Sequence, residues 1–461
     1  MTKQAKTAFS FILLLVFLCI IQTQLAACSN SEYIENSGSE FAWVTEDDAN
    51  SNESLSSSSK VIDYLPIDDT EYPYAGIPRI VIETENHQAI KDRETEIPAK
   101  LQIWGEKAPE SEVMDLTIKG RGNSSWNMPK KSYKIEFINK QTMLRMPKDR
   151  DWALIANYAD KTLMKNYLIY HLSAELGAYY APRCEFVELY LNKEYLGVYL
   201  LTETIKIAKH RINLPDNNSS YIVEFDIRFK ENDQVFYSRI IRNASEGVFF
   251  HYQVHKPSKA SPEVISTVEK HIQSFETFLK DSLKNNSEQL TQWLDIDEYI
   301  KHYWIQEFSK NPDANFKTSV YFSWQINDKI KMGPVWDFDL AFGGYDTVSI
   351  NSPQGWYLKE SHWNKYLFED SATTQTKDIF WDAKKALFYS IVNNIDTLQL
   401  QLQKAASNNF KRWDILNSTS YVYHQSSFQS YNEATEYLKQ WITQRLLWID
   451  EKQCNLTMDA K

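Results

Sequence analysis

The stretch "GPVWDFDLAFGG", residues 333–344, places two carboxylates in an otherwise apolar run. If the run is extended, side chains two positions apart share a face, so Asp337 and Asp339 point the same way. The apolar residues that point the other way are Trp336, Phe338 and Leu340. Two unpaired buried charges would be costly, whereas Mg²⁺ is usually held by one or two carboxylates together with phosphate oxygens. The pattern predicts a divalent-metal site on a strand, with an ordinary edge strand as the alternative.

Length, charge and cysteine content limit the class of protein. The 461 residues, 43% of them hydrophobic, suffice for one large domain or two ordinary ones. The formal charge is -11 and no basic run is longer than a pair, which predicts no nucleic-acid partner because phosphate backbones bind clustered Lys and Arg. Beyond Cys28 the cysteines are Cys184 and Cys454, so at most one disulfide can form and the fold must depend on its apolar core.

The N-terminus resembles a lipoprotein signal. Two lysines precede the apolar run of residues 8–21, which is long enough for a signal-peptide core and short for a membrane span. The following "LAAC", residues 25–28, resembles a bacterial lipobox, which implies removal of residues 1–27 and lipidation of Cys28. We therefore expect a lipid anchor in a bacterial cell envelope, outside the cytoplasm. An ordinary secretory signal with an incidental cysteine is the alternative.

A polar segment separates this signal from the folded part of the chain. Residues 28–60 are rich in Ser, Asn and Glu, a composition that cannot bury enough apolar surface to become ordered. We predict that this segment is a flexible tether. It would connect the membrane anchor to one folded domain, residues 61–461.

The folded part has the pattern of an α+β protein. Short alternating segments predict a strand-rich N-terminal lobe with one amphipathic helix over residues 160–177 and a hairpin over residues 186–203. The second half predicts a mainly helical lobe that carries a strand pair in residues 319–344. Apolar residues recur at helical spacing in residues 261–283, 296–311 and 434–453.

A lysine in the N-terminal half is a candidate phosphate ligand. The segment "KGRGNSSWNMPKKSYKIEF", residues 119–137, predicts a strand, a polar loop and a second strand. Lys131 shares a strand face with three apolar residues, which are Tyr133, Ile135 and Phe137. A lysine that faces the core needs an anion. Alternatively, its long stem carries the ammonium group to the surface.

A third polar segment, "SKNPDANFKTSVYF", residues 309–322, places Asp313 in a loop between a helix and a strand. Aspartate in such a loop is often only a turn former. Phosphoryl transfer, however, needs a lysine for the phosphates, an aspartate to accept the proton of the attacking hydroxyl, and an aspartate for Mg²⁺. Lys131, Asp313 and Asp337 follow one another in the order in which a protein kinase carries these parts.

Five motifs in this order resemble the CotH (spore coat protein H) kinase family, an atypical branch of the protein kinase fold. They are "KGRGNSSW…PKKSYKIEF", "NYADKTLMKN", "ELYLNKEYLGVYLLTE", "NPDANFKTSVYF" and "GPVWDFDLAFGG". The resemblance runs from about residue 76 to about residue 450. It implies a two-lobed kinase-like domain, with a strand-rich N-lobe and a mainly helical C-lobe. Such a domain would bind ATP with Mg²⁺ or Mn²⁺ and phosphorylate Ser or Thr of a protein substrate.

The resemblance also implies roles for individual residues. Asp313 would be the catalytic aspartate, and Asp337 and Asp339 would be the metal ligands. The residues implied to bind the nucleotide are Lys131, Arg121 and Glu203. Many family members have Asn five residues after the catalytic Asp, as a ligand for a second metal. This chain has Thr318 there, and a hydroxyl is a poorer ligand for a hard cation than a carbonyl or carboxylate oxygen.

A second function remains open at the level of the sequence. The chain is 14% aromatic, and exposed Trp and Tyr could serve as stacking platforms. The protein would then be a surface lipoprotein that binds polysaccharide or another protein, with a weak or inactive kinase-like site. The same aromatic content could equally be core.

Overall fold

A computed structural model describes residues 65–228, 234–242, 249–345, 347–419 and 426–459. The predicted signal peptide, Cys28 and the predicted tether lie outside these residues. Contacts define one large compact unit, Glu53–Ile449, and a second unit of which only residues 450–459, the end of the last helix, are described. Within the described residues, no helix combines the length and apolar character needed to cross a membrane.

Seven strands close into a barrel in the order β1-β2-β3-β4-β5-β7-β6. They are β1 (Arg79–Thr84), β2 (Ile97–Trp104), β3 (Met114–Arg121), β4 (Ser132–Met143), β5 (Met146–Ile155), β6 (Cys184–Leu191) and β7 (Glu194–Glu203). Neighbouring strands are antiparallel except β1 and β6. Alternate side chains fill the interior, as Tyr133, Ile135 and Phe137 of β4 do. The α+β class is confirmed, but the strand-rich N-terminal part is a closed barrel, which the sequence did not indicate.

Helix α1 (Lys165–Glu175) follows β5 and falls within the predicted range 160–177. The Asp160 carboxylate accepts a hydrogen bond from the Lys165 amide at 2.9 Å and so satisfies one of the amides that the first helical turn leaves free. Gly177, with a φ of +73°, follows the helix end as predicted. Nearly all side chains of α1 are buried, so the expected amphipathic helix is instead an internal one.

A second sheet has the order β12-β11-β8-β10-β9. Its strands are β8 (Ser220–Phe225), β9 (Val235–Arg242), β10 (Phe249–Lys256), β11 (Val320–Gln325) and β12 (Lys331–Met332). Its apolar face, with Val223, Phe225 and Phe322, packs against helix α2 (Pro262–Asp281). The sequence predicted a strand at residues 221–226, which corresponds to β8, and a strand pair in residues 319–344, whereas β9 and β10 were not recognised.

The remaining helices follow in the C-terminal half of the chain. They are α3 (Leu290–Trp293), α4 (Ile296–Ser309), α5 (Val348–Asn351), α6 (His362–Leu367), α7 (Ser371–Arg412) and α8 (Tyr431–Asp459). The predicted helices correspond to α2, α4 and α8, whereas the 42-residue helix α7 was missed. Helices α1, α4, α7 and α8 share one apolar core.

Candidate active site

A cleft of about 670 Å³ lies between the outer face of the barrel and the second sheet. The barrel contributes side chains from β3, β4 and β5 and from the segment after β7. The sheet contributes every second residue of three adjacent strands, β8, β10 and β11, and of the positions next to them. These residues are Glu224 and Asp226 for β8, Gln253 and His255 for β10, and Ser319 and Tyr321 for β11. Because the intervening residues face the apolar core, the sheet presents a polar wall to the cleft.

The acidic stretch 333–344 is a loop and not the predicted strand. Strand β12 ends at Met332. Gly333 then has a φ of +109°, and Pro334 has no amide hydrogen to donate to a neighbouring strand. The strand prediction failed because it weighed the alternation of apolar and charged residues above these two strand-ending residues.

The side chains of this loop divide as predicted only in part. Phe338 is fully buried, and Asp337 and Asp339 line the cleft. Trp336 and Leu340 also line the cleft, although an extended chain would have turned them away from the two aspartates. The expected pairing of the two carboxylates is therefore reached without a strand.

Asp313 lines the same cleft from a 3₁₀ turn, Pro312–Ala314, that follows α4. The Asp313 amide donates to Asn311 Oδ1 at 3.2 Å, a capping bond that fixes the turn. Arg228 Nη2 lies 3.5 Å from Asp313 Oδ1. The structure thus brings together all three aspartates that the sequence singled out.

Burial and neighbouring negative charge raise the pKa of two of these aspartates, Asp313 and Asp339. Burial raises the pKa of Asp313 to about 7, and the negative charge of Asp337 adds to the effect. Burial also raises the pKa of Asp339 well above its ordinary value, with further contributions from Asp337 and Asp313. Carboxylates that repel one another at a partly buried site favour a bound cation.

The donor atoms fit a hard divalent cation only in part. Carboxylate oxygens are the ligands that Mg²⁺ and Mn²⁺ prefer. Within the described residues, however, no group of three or more His, Cys, Asp or Glu side chains is arranged to hold a metal ion by itself. A metal at Asp337 and Asp339 would need further oxygens, which nucleotide phosphates would supply.

A group of lysines from β4, from the segment after β7 and from the end of β10 lines the cleft. Lys134 Nζ lies 2.9 Å from Asp151 Oδ1, and Lys206 Nζ lies 2.6 Å from Asp151 Oδ2. Burial lowers the pKa of Lys256, and the positive charges of Lys134 and Lys206 lower it further. Among the described residues, Lys256 has no ion-pair partner. Lys134 and Lys206 also pair with Glu136 and Asp149, at 3.2 and 3.0 Å, so Lys256 is the ammonium group whose charge an anion in the cleft would offset.

The comparison with protein families agrees with this geometry. The CotH family model, described as CotH kinase protein, matches residues 118–449. The chain belongs to the CotH kinase family. The match begins later than the expected residue 76, in β3, and so leaves out the first two barrel strands. No curated protein matches the chain.

Two of the three nucleotide-binding residues implied by the CotH kinase resemblance lie elsewhere. Lys131 precedes β4, and its Nζ donates to the Trp126 carbonyl at 2.6 Å. The prediction that it faces the core was wrong, because the barrel interior is closed and filled with apolar side chains. The lysine of β4 that lines the cleft is Lys134, on the outer face of the strand. Arg121 lines the cleft as expected, with its guanidinium 5.3 Å from the centre of the Trp336 ring.

Glu203 is fully buried behind the cleft and does not line it. Its carboxylate forms ion pairs with Arg183 and Arg211 and accepts a hydrogen bond from the Tyr180 hydroxyl. The carboxylate therefore interacts with protein groups and not with the cleft. The next three residues, 204–206, do line the cleft.

The position where many CotH kinases have Asn also lies behind the cleft. Thr318 is buried, and its side chain hydrogen-bonds to the carboxylate of Asp226, which does line the cleft. Asp226 and Glu224 were missed by the sequence analysis. They alternate along β8 with apolar residues that face the core, and this alternation is the sequence pattern that could have identified them.

Proposed function

We propose that this CotH family member is a metal-dependent kinase that transfers the γ-phosphoryl group of ATP to Ser or Thr of a protein. The observation that carries the proposal is that two groups of charged side chains line one cleft. Asp313, Asp337 and Asp339 form the acidic group, and Lys134, Lys206 and Lys256 form the basic group. Phosphoryl transfer depends on holding phosphates, a cation and a hydroxyl in fixed relative positions, which such a cleft can do.

The lysines would bind the nucleotide phosphates. Lys256 is the strongest candidate because it has no ion-pair partner among the described residues and is repelled by Lys134 and Lys206. A phosphate would relieve this repulsion. In this proposal Lys256, Lys134 and Lys206 replace Lys131 and Glu203 as nucleotide ligands, while Arg121 is retained.

The aspartates would hold the metal and the acceptor. Asp337 and Asp339 would bind Mg²⁺ or Mn²⁺ through their carboxylates, with phosphate oxygens completing the coordination. When bound, the metal supplies positive charge that neutralises the phosphates during transfer. Asp313 would accept the proton of the Ser or Thr hydroxyl, and its pKa of about 7 suits a proton acceptor near neutral pH.

We also propose that the enzyme is lipid-anchored outside the cytoplasm of a bacterium, with protein substrates in the same compartment. This rests on the signal-like residues 1–27 and on Cys28 in the sequence "LAAC". The kinase proposal is preferred over an inactive binding protein for one structural reason. Among the described residues, the exposed large aromatic side chains are the well-separated Tyr237 and Tyr437, which form no stacking platform.

The proposal can be tested by thermal unfolding of the full chain with ATP, with Mn²⁺, and with both together. A ligand at one hundred times its dissociation constant stabilises a protein by about 2.7 kcal/mol. We expect a shift that needs ATP and Mn²⁺ together and that is lost in Asp337→Asn. Asp328→Asn is the matched control, because Asp328 is an exposed turn aspartate outside the cleft. The absence of any shift in the unsubstituted protein would overturn the proposal.

A further inference from the structure

Asp337 has a backbone conformation that few aspartates adopt. Its φ is +66°, in the left-handed region that non-glycine residues seldom occupy. Its side chain lines the cleft, where Ser319 Oγ donates to Asp337 Oδ2 at 3.3 Å. A strained conformation at this position persists only if the surrounding structure holds it.

Two buried asparagines hold the peptide group that follows Asp337. Asn311 Nδ2 donates to the Asp337 carbonyl at 3.0 Å. The amide of the same peptide group, which belongs to Phe338, donates to Asn166 Oδ1 at 2.7 Å. The Tyr170 hydroxyl makes a third contact, a hydrogen bond with the backbone of Asp337. Both ends of one peptide group are thus fixed by side chains from different parts of the fold.

Each asparagine is itself fixed by its second polar atom. Asn166 Nδ2 donates to Asn157 Oδ1 at 3.1 Å. Asn311 Oδ1 accepts the amide of Asp313 at 3.2 Å. Asn311 therefore contacts the backbones of both acidic loops through one side chain, which links the position of Asp313 to that of Asp337.

A neighbouring lysine fixes the next turn of the chain. Lys165 Nζ donates to the carbonyls of Asp339 and Ala341, at 3.2 and 2.8 Å. A Cβ added to Gly344 would lie 2.6 Å from Lys165 Nζ and would displace the ammonium group from this position. Lys165, Asn166 and Tyr170 all belong to the largely buried helix α1.

We propose that Asn166, Asn311 and Tyr170 form a backbone clamp that holds Asp337 in its left-handed conformation and aims its carboxylate into the cleft. They are positioning residues, since they act through Asp337 and Asp313. The importance of the clamp for catalysis rests on the proposed function, but its existence can be tested without it.

The test compares Asn166→Ala and Asn311→Ala with Asn364→Ala in the full chain. Asn364 is a matched control because it is equally buried and also makes two hydrogen bonds, to Leu358 and Tyr299, outside the cleft. Asn311→Asp is a further variant, which retains the acceptor for the Asp313 amide and loses the donor to Asp337. The first readout is amide hydrogen exchange of the peptide that contains Phe338. The second is Mn²⁺ affinity with ATP present.

We expect all three clamp variants to exchange this segment at least tenfold faster than the control and to bind Mn²⁺ at least tenfold more weakly. Equal exchange in the clamp and control variants would overturn the clamp. If exchange accelerates but the unsubstituted protein binds no Mn²⁺ with ATP, the clamp stands and the proposed function fails. Faster exchange with unchanged Mn²⁺ affinity would overturn the role of the clamp in aiming Asp337.

Discussion

The two sides of the cleft are built in different ways. The barrel side presents Lys134 from a regular strand, with Ser132 on the same face and the apolar residues of β4 on the other. The opposite side presents Asp313 and Asp337 from turns that asparagine side chains hold. The difference indicates that substitutions behind the barrel side should mainly affect stability. Substitutions in the turns should mainly affect ligand binding.

The largest effect on stability is expected from Glu203→Ala. This change leaves Arg211 and Arg183 without their shared carboxylate, and Arg211 is fully buried. Removing one partner of a buried ionic group costs about 3–5 kcal/mol of unfolding free energy, measurable by urea denaturation. Asp115→Ala is the control, because its barrel ion pair with Lys100 is exposed and should contribute less than about 1 kcal/mol. Equal losses in the two variants would contradict this account of the barrel side.

A smaller, pH-dependent effect is expected from Asp151. Burial alone would raise the pKa of Asp151, but hydrogen bonds and charges from Lys206 and Lys134 outweigh it and lower the pKa to about 2. Because the folded pKa is depressed, this carboxylate contributes stability above about pH 4 and loses it as the pH falls through 2. We expect Asp151→Asn to be roughly 2 kcal/mol less stable than the unsubstituted protein at pH 5. This difference should shrink steadily toward pH 2 in parallel denaturation curves.

The smallest effect is expected from Lys256, the last residue of β10 in the second sheet. Lys256→Met should weaken ATP binding about tenfold, or roughly 1.4 kcal/mol, because it removes an ammonium group from the proposed phosphate site. Lys131→Met should leave ATP binding unchanged, since Lys131 Nζ donates to Trp126 away from the cleft. Isothermal titration would compare the two. If Lys131→Met weakened ATP binding more than Lys256→Met, Lys131 would be the phosphate ligand, as the family resemblance implied.

Part of this structure could be predicted from the sequence, and the reasons differ between regions. Asp337 and Asp339 were singled out because carboxylates are unusual in an apolar run, and Asp313 was singled out by the order of the motifs along the chain. The α+β class and the β6–β7 hairpin followed from apolar periodicity. Local patterns of this kind are largely independent of how distant segments pack.

The errors concern features that depend on tertiary structure. Whether Lys131 or Lys134 faces the ligand depends on which side of the strand is enclosed, and closure of the barrel is a property of all seven strands. Glu203 was predicted to bind the nucleotide, but the residues that line the cleft begin one position later. The sequence gives no sign that Arg211 folds back onto Glu203 and pairs with its carboxylate inside the protein. The clamp around Asp337 joins residues 166 and 311 across more than a hundred positions, which periodicity cannot reveal.

The most direct test of the central claim separates binding from transfer at Asp313. The full chain and its Asp313→Asn variant would be incubated with Mn²⁺, γ-labelled ATP and a randomised peptide mixture centred on Ser or Thr, and ATP affinity would be measured in parallel. We predict label on the Ser or Thr peptides with the unsubstituted protein. In Asp313→Asn, transfer should fall by at least about a hundredfold while ATP affinity with Mn²⁺ is retained. Transfer that survives Asp313→Asn at an unchanged rate would contradict the assignment of this aspartate as the proton acceptor.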